Sequence, residues 1–244
     1  MKIKFLPIIK MLCVEFVVAI SIILINSSVN SIPKLSSIIA GSSWILATLV
    51  HVPQFLLPFL MILYLSKGRL EQYGFNLNES LPFFTRIRML KIGVIFGSLL
   101  SLKYIPQIIT SKTIDIPRPI QPVNILGSLV FQWVVVGLCE ETMFRGLIQT
   151  YLMDNLQGYV RLFRHDLHIG TVIGALFWGA FHFINILVMP WNSTLLTVFL
   201  TTIAGLLMGY AYQETRSLST TIIIHITLFG IPLLIGYFIY FLFL

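Results

Sequence analysis

Glu140-Glu141-Thr142-Met143-Phe144-Arg145 sets two adjacent carboxylates and an arginine at the end of a run, 124–138, that carries no charge. A carboxylate can take a proton from water, and an arginine can hold a second carboxylate in a fixed geometry. Ionisable groups in an apolar segment are costly and normally face a bundle interior or a water-filled cavity. On a helix Glu141 and Arg145 stand i,i+4 with the acid first, the favourable order for an ion pair. Glu140 lies about 100° around the helix from Glu141 and need not be consumed by that pair. One reading makes Glu141–Arg145 structural and leaves Glu140 as the working carboxylate. The other is a charge cluster touching the headgroups, with Arg145 snorkelling outward.

Two further groups could complete such a site. Trp178, His182 and Asn185 share a helical face by i,i+4 and i,i+3 spacing inside another apolar run, and intramembrane His and Asn need partners. For His182 taken alone, a packing histidine bonded to a carbonyl is the simpler explanation. Gly170, Gly174 and Gly179 on the same run would allow a neighbouring backbone to come close. His225 follows Ser217-Leu218-Ser219 about two turns into the last run. At 1.5 Å per residue, His225 and Glu140 lie roughly 10 Å deep and His182 roughly 20 Å, so three uncommon residues from three helices fall in the region from the cytoplasmic half to the midplane of a bilayer. His51, Glu15 and Lys103 sit in earlier runs and read as structural, with Glu15 solvated near the inner surface and Lys103 snorkelling. His165 and His168 belong to a basic loop and read as solvated. There is no His-Glu-x-x-His helix, Gly-x-Ser-x-Gly elbow or Walker phosphate loop.

The elements that must position these residues are membrane helices. Of 244 residues 57% are hydrophobic and 10% charged, against about 25% charged in a soluble domain. The net charge of +7 lies in short clusters between apolar runs, a pattern that suits loops beside anionic lipid and does not point to nucleic acid as a partner. Cys13 and Cys139 both lie inside apolar runs, which argues against a disulfide framework or a cysteine metal site. Apolar runs long enough to span about 30 Å of hydrocarbon occur at roughly 8–27, 40–65, 90–109, 124–144, 169–189, 195–213 and 218–243. Pro53, Pro58 and Pro232 could break two of them, so the expected fold is an all-α, polytopic membrane helix bundle of 7–8 transmembrane helices. The N-terminal lysines Lys2, Lys4 and Lys10 precede an uncleaved first helix, for no small-x-small cleavage site follows. Lys67, Arg69, Arg86, Arg88 and Lys91 (against Glu71 and Glu79), then Arg145, Arg161, Arg164 and Arg216, mark one side; Lys34, Lys112 and Arg118 are sparse on the other. This asymmetry predicts a cytoplasmic N-terminus. Segments 66–88 and 153–168 read as interfacial helices, and the Pro-rich 116–122 as a stiff external linker.

In this order the three constellations resemble the CAAX-protease and bacteriocin-processing (CPBP, or Abi) family of intramembrane proteases. That family shows Glu-Glu-x-x-x-Arg, then Phe-x-x-x-His, then His-x-x-x-Asn/Asp on successive helices of a bundle with about eight spans. Glu140, Glu141 and Arg145 match the first motif, and Gly146 is also typical. His182 matches the second, with Trp178 where phenylalanine is usual; His225 matches the start of the third. The resemblance covers about 120–230. Phe229 stands where the family has Asn or Asp, so either the oxyanion site is weakened or another donor, Asn185 or Thr227, substitutes.

The resemblance implies an intramembrane endopeptidase of the cell membrane, multi-pass, with 1–115 as N-terminal helices scaffolding a substrate cavity and 116–244 as the catalytic core. Glu140 would act as general base on a water also held by His182, His225 would stabilise the oxyanion, and Arg145 would orient Glu141. No cofactor is required. A divalent metal such as zinc on Glu140, His182 and His225 remains open, since two histidines and a carboxylate satisfy a catalytic zinc count. The expected substrate is a membrane-associated peptide or small protein, in bacteriocin maturation, self-immunity or pheromone processing, reached from the cytoplasmic side. The alternative is a catalytically silent scaffold regulating a sensor kinase or another membrane partner. A small transporter would expect broken helices in matched halves, which are not seen.

Overall fold

The computed structural model describes residues 5–76, 83–111, 113–117, 119–162 and 164–243. Lys2, Lys4, Glu79, Lys112 and Arg118 of the charge pattern lie outside the described residues. Among those described, seven helical segments are long and apolar enough to cross a membrane. The first is α1 (Phe5–Asn30), followed by a short α2 (Pro33–Ala40) and the second span, α3 (Ser43–Ser66). The third, Leu90–Thr110, joins α4 (Phe83–Leu100), a 3-10 turn Ser101–Lys103 and α5 (Tyr104–Ser111). The fourth, Pro122–Asn155, is continuous over 34 residues. It runs through α6 (Pro122–Val130), a π-helical stretch Phe131–Val136, α7 (Gly137–Glu141), a second π stretch Thr142–Gln149 and α8 (Thr150–Asn155). The last three are α9 (Ile169–Phe181) with a 3-10 extension His182–Leu187, α10 (Trp191–Thr215) and α11 (Leu218–Phe243). The protein is therefore a multi-pass membrane protein of the all-α class.

Local chemistry explains the boundaries. Pro33 and Pro122 open their helices at the first turn, where a missing N–H costs nothing. Pro53, Pro58 and Pro232 leave α3 and α11 unbroken, so neither run is divided in two and the described residues hold seven candidate spans; in the bilayer neighbouring groups re-satisfy the backbone that proline frees. Gly74 closes the turn after Leu70–Tyr73 at φ 83°. A Cβ there would also lie 2.7 Å from the Tyr212 ring, so glycine is needed for conformation and for space.

Two connections differ from expectation. The segment 153–168 is not an interfacial helix: α8 ends at Asn155, and an antiparallel hairpin follows, β1 (Tyr159–Leu162) with β2 (His165–His168). Gly158 takes φ 114°, which stops helical propagation, and Arg161 grips Asp166 across the strands through two bonds of 2.8 and 2.9 Å. The described part of 66–88 holds only the turn Leu70–Tyr73 and the start of α4. Nor is the Pro-rich stretch a free linker, for Ile114 and Ile116 before and within it are buried in a cluster with Tyr104 and Tyr237.

The chain forms two compact units, each drawing on segments from both sides of residue 115. The first comprises the chain up to Ile23, 53–78 and 140–221; the second comprises 24–52, 79–139 and the chain from Ile222. In the first, Met11, Glu15 and Val18 form the buried stripe of α1, at helical spacing. Here α9 and α10 pack at close range: a Cβ on Gly179 would meet Thr202 and Val198, and one on Gly205 would meet Trp178 and Ala175. Gly170 faces the α8 backbone and Gly174 faces Gln149, so all three α9 glycines serve close approach as their spacing predicts.

Candidate active site

Within the first unit, α7 and the π stretch after it carry Glu140, Glu141 and Arg145 into the interior. Glu141 is fully buried and Arg145 is 2% exposed, while Glu140 keeps 8%. Arg145 Nη1 donates to Glu141 Oε1 at 3.1 Å, the pair expected from spacing. The headgroup-cluster alternative is overturned by this burial: Arg145 does not snorkel. A buried ion pair of this kind is costly to break, because one partner's removal leaves an uncompensated charge.

Trp178 organises the rest. Its Nε1–H donates to Glu140 Oε2 at 2.7 Å, and the Arg145 guanidinium lies 4.3 Å from its ring centroid. One indole thus fixes a carboxylate through its edge and a cation through its face. Phe144 and Phe181 meet edge-on at 5.5 Å beside it, giving apolar walls. The sequence placed Trp178 on the right face, but its direct bond to Glu140 was not foreseen.

His182 caps α9. Its backbone N–H bonds to Gly179 and Ala180 carbonyls, a 3-10 tightening that releases the Trp178 carbonyl from the α-helical ladder. That carbonyl is 2.8 Å from His182 Nδ1. A carbonyl oxygen only accepts, so Nδ1 carries the hydrogen and, in the neutral ring, Nε2 presents a lone pair. The carbonyl-bonded histidine weighed earlier is therefore present. That bond also orients the ring, and the His182 and Trp178 rings meet edge-on at 5.7 Å.

Asn185 falls in the 3-10 extension, half-buried, and its side chain makes no hydrogen bond among the described residues. The tightening at His182 alters the helical face it was expected to share. His225 belongs to the second unit, buried on α11, with its ring 5.0 Å from that of Phe229 and its Cβ beside Gly137. Thr227 does not stand in for the missing Asn or Asp. Its hydroxyl donates back to Ile223 and Ile224 carbonyls at 2.7 and 3.0 Å, and the side chain faces Gly93.

The other ionisable candidates lie apart from these residues, and two of them depart from expectation. Glu15 is 7% exposed and not solvated, because it sits on the buried stripe of α1. His168 is 7% exposed and not a solvated loop residue: its Nδ1 accepts from Gly170 N–H at 3.0 Å, capping α9. Burial, with Arg216 nearby, holds the His168 pKa below the usual imidazole value, partly opposed by Asp154 and the Leu156 carbonyl. His165 bonds to the Tyr210 hydroxyl at the surface, His51 to the Ala47 carbonyl, and Lys103 lies over the Tyr104 ring. Among the described residues no group of three His, Cys, Asp or Glu side chains could hold a metal ion.

Seven apolar helices among the described residues, with a buried carboxylate held by a tryptophan whose carbonyl faces a histidine ring, define a membrane-embedded protein with a polar cluster in its interior. Residues 122–229 match the family model for Rce1-like proteins, described as type II CAAX prenyl endopeptidase Rce1-like. Over that stretch, somewhat less than half of its length, the chain is similar to the CAAX-protease (CPBP) family. No curated protein and no solved structure matches the chain.

Proposed function

We propose that the chain is a glutamate-dependent intramembrane endopeptidase acting on a membrane-associated peptide or the end of a small protein. The observation that carries this reading is Trp178, which bonds Glu140 through its side chain and His182 through its carbonyl. A water lodged between a carboxylate and the Nε2 lone pair gives one hydrogen to each. Glu140 takes a proton as the water oxygen attacks the scissile carbonyl carbon, forming a tetrahedral oxyanion. His225, assigned by its motif, donates to that oxyanion. The intermediate then collapses, the C–N bond breaks, and the leaving amine takes the proton from Glu140. Arg145 neutralises Glu141 and, through the indole face, steadies Glu140. Bacteriocin or pheromone maturation is the matching role.

The test is cleavage of lipidated and unlipidated peptides by the full chain in proteoliposomes. Glu140→Ala and His182→Ala, each expressed and folded normally, are expected to lose about 100-fold or more in kcat, the usual weight of a general base. Full activity in both variants would contradict the reading, and loss of wild-type activity to a strong chelator would restore the metal version. One observation favours a second reading, a silent scaffold: the Phe229 ring lies against His225 where the family has a polar side chain. In that case Glu140→Ala leaves the cellular phenotype intact.

A further inference from the structure

Apart from the carboxylate site, the second unit contains a cavity of about 440 Å³, within the range of small-molecule sites. Its apolar wall includes Trp44, Phe131, Phe229 and Leu233, and two opposite charges, Lys103 and Asp115, also line it. Neither is in an ion pair among the described residues, so the acid and base share one cavity without closing on each other. Both are held in place. Lys103 Nζ lies 5.0 Å from the Tyr104 ring centroid. Asp115 stands between buried Ile114 and Ile116, and its N–H donates to Gln107 Oε1 at 2.9 Å. The Ile116 N–H donates to the Ile114 carbonyl at 3.2 Å, a tight turn centred on Asp115 that leaves this residue exposed between the two anchored isoleucines. Trp44 Nε1 donates to Asn124 Oδ1 at 3.3 Å, and its indole fits over Gly127. The cavity is preformed.

Asp115 belongs to the loop between two spans, whereas Phe131 stands nine residues inside the span that begins at Pro122, about 13 Å along a helix. A ligand that suits the cavity has an anionic and a cationic group at one end and an apolar body at the other. A peptide terminus brings a single charge and would leave either Lys103 or Asp115 without a counterpart. A zwitterionic phospholipid supplies both charges and the chain.

We propose that this cavity binds one zwitterionic phospholipid, with its phosphate on Lys103, its ammonium on Asp115 and the upper part of an acyl chain along Trp44, Phe131, Phe229 and Leu233. The inference does not depend on the protease reading. It is tested by native mass spectrometry of the purified full chain titrated with dihexanoyl-phosphatidylethanolamine, dihexanoyl-phosphatidylglycerol or a hydrophobic tripeptide. One equivalent of the ethanolamine lipid is expected to bind about tenfold more tightly than the glycerol lipid, which lacks the ammonium. Lys103→Gln and Asp115→Asn, both at exposed positions that leave the core intact, are each expected to weaken it about tenfold. Ala47→Phe, which fills the cavity from α3, is expected to abolish it. Equal binding of the two lipids, or binding unchanged in both charge variants, would overturn the proposal. Binding of the tripeptide in place of lipid would overturn it in favour of a peptide site.

Discussion

Trp178 carries more of the site than any motif position suggests. Its N–H fixes Glu140, its ring face takes the Arg145 guanidinium, and its carbonyl sets the His182 tautomer. Trp178→Phe separates these functions, keeping the aromatic face while deleting the donor. A hydrogen bond to a charged group contributes about 1.5–3 kcal/mol. The variant is therefore expected to fold with wild-type yield and to lose at least about tenfold in kcat, read from peptide cleavage in proteoliposomes. An unchanged kcat would show that Glu140 needs no help from the indole. The ion pair Glu141–Arg145 was legible because i,i+4 spacing is a property of one helix. The indole bond was not, because it depends on how α9 is rotated toward the neighbouring span.

At the scale of elements, α9 is held at both ends by contacts its sequence only half declares. Its glycines announce close packing, and Gly179 delivers it against Thr202 and Val198 of α10. Gly179→Ala is expected to destabilise the protein by about 1–3 kcal/mol through overpacking, seen as a lower unfolding temperature in detergent. Adding Thr202→Ala removes the nearest obstacle and is expected to recover part of the loss. At the other end His168 caps the helix as a neutral acceptor. Because its folded pKa lies below the ordinary value, the folded state binds fewer protons than the unfolded one. The cap's contribution is full above the ordinary imidazole pKa of about 6.5 and is lost as pH falls below it. Thermal unfolding at pH 5 and pH 8 should show this loss, and His168→Asn, an acceptor that does not titrate, should remove that part of the pH dependence. The hairpin after α8 escaped the sequence reading because Tyr159, Val160 and Leu162 alternate with basic residues much as an interfacial helix would. The deciding features were the left-handed Gly158 and the Arg161–Asp166 bridge.

At the scale of the whole molecule, hydrophobicity made the seven candidate spans readable, since each is a predominantly apolar helical segment of 19 to 34 residues and the bilayer admits little else. Only the span count around the prolines was open, and the continuous α3 and α11 close it. Two features could not be read from a run. The π stretches on either side of α7 leave no signature in apolar periodicity, and such insertions are frequent at functional sites. The lipid-sized cavity is lined by segments scattered from Ser43 to Leu233, so no local pattern announces it. The family match covers 122–229, the part of the chain in which the motifs could be recognised, and the helices before it were visible only as spans.

The central claim is that Glu140 and His182 hold and activate one water. A double-mutant cycle on kcat, with Glu140→Gln, His182→Ala and the combined variant reconstituted side by side, tests it most directly. If both groups act on the same water, the double variant is no slower than the slower single variant, because the second loss finds nothing left to remove. Losses that multiply, or a single variant with wild-type kcat, would contradict the account.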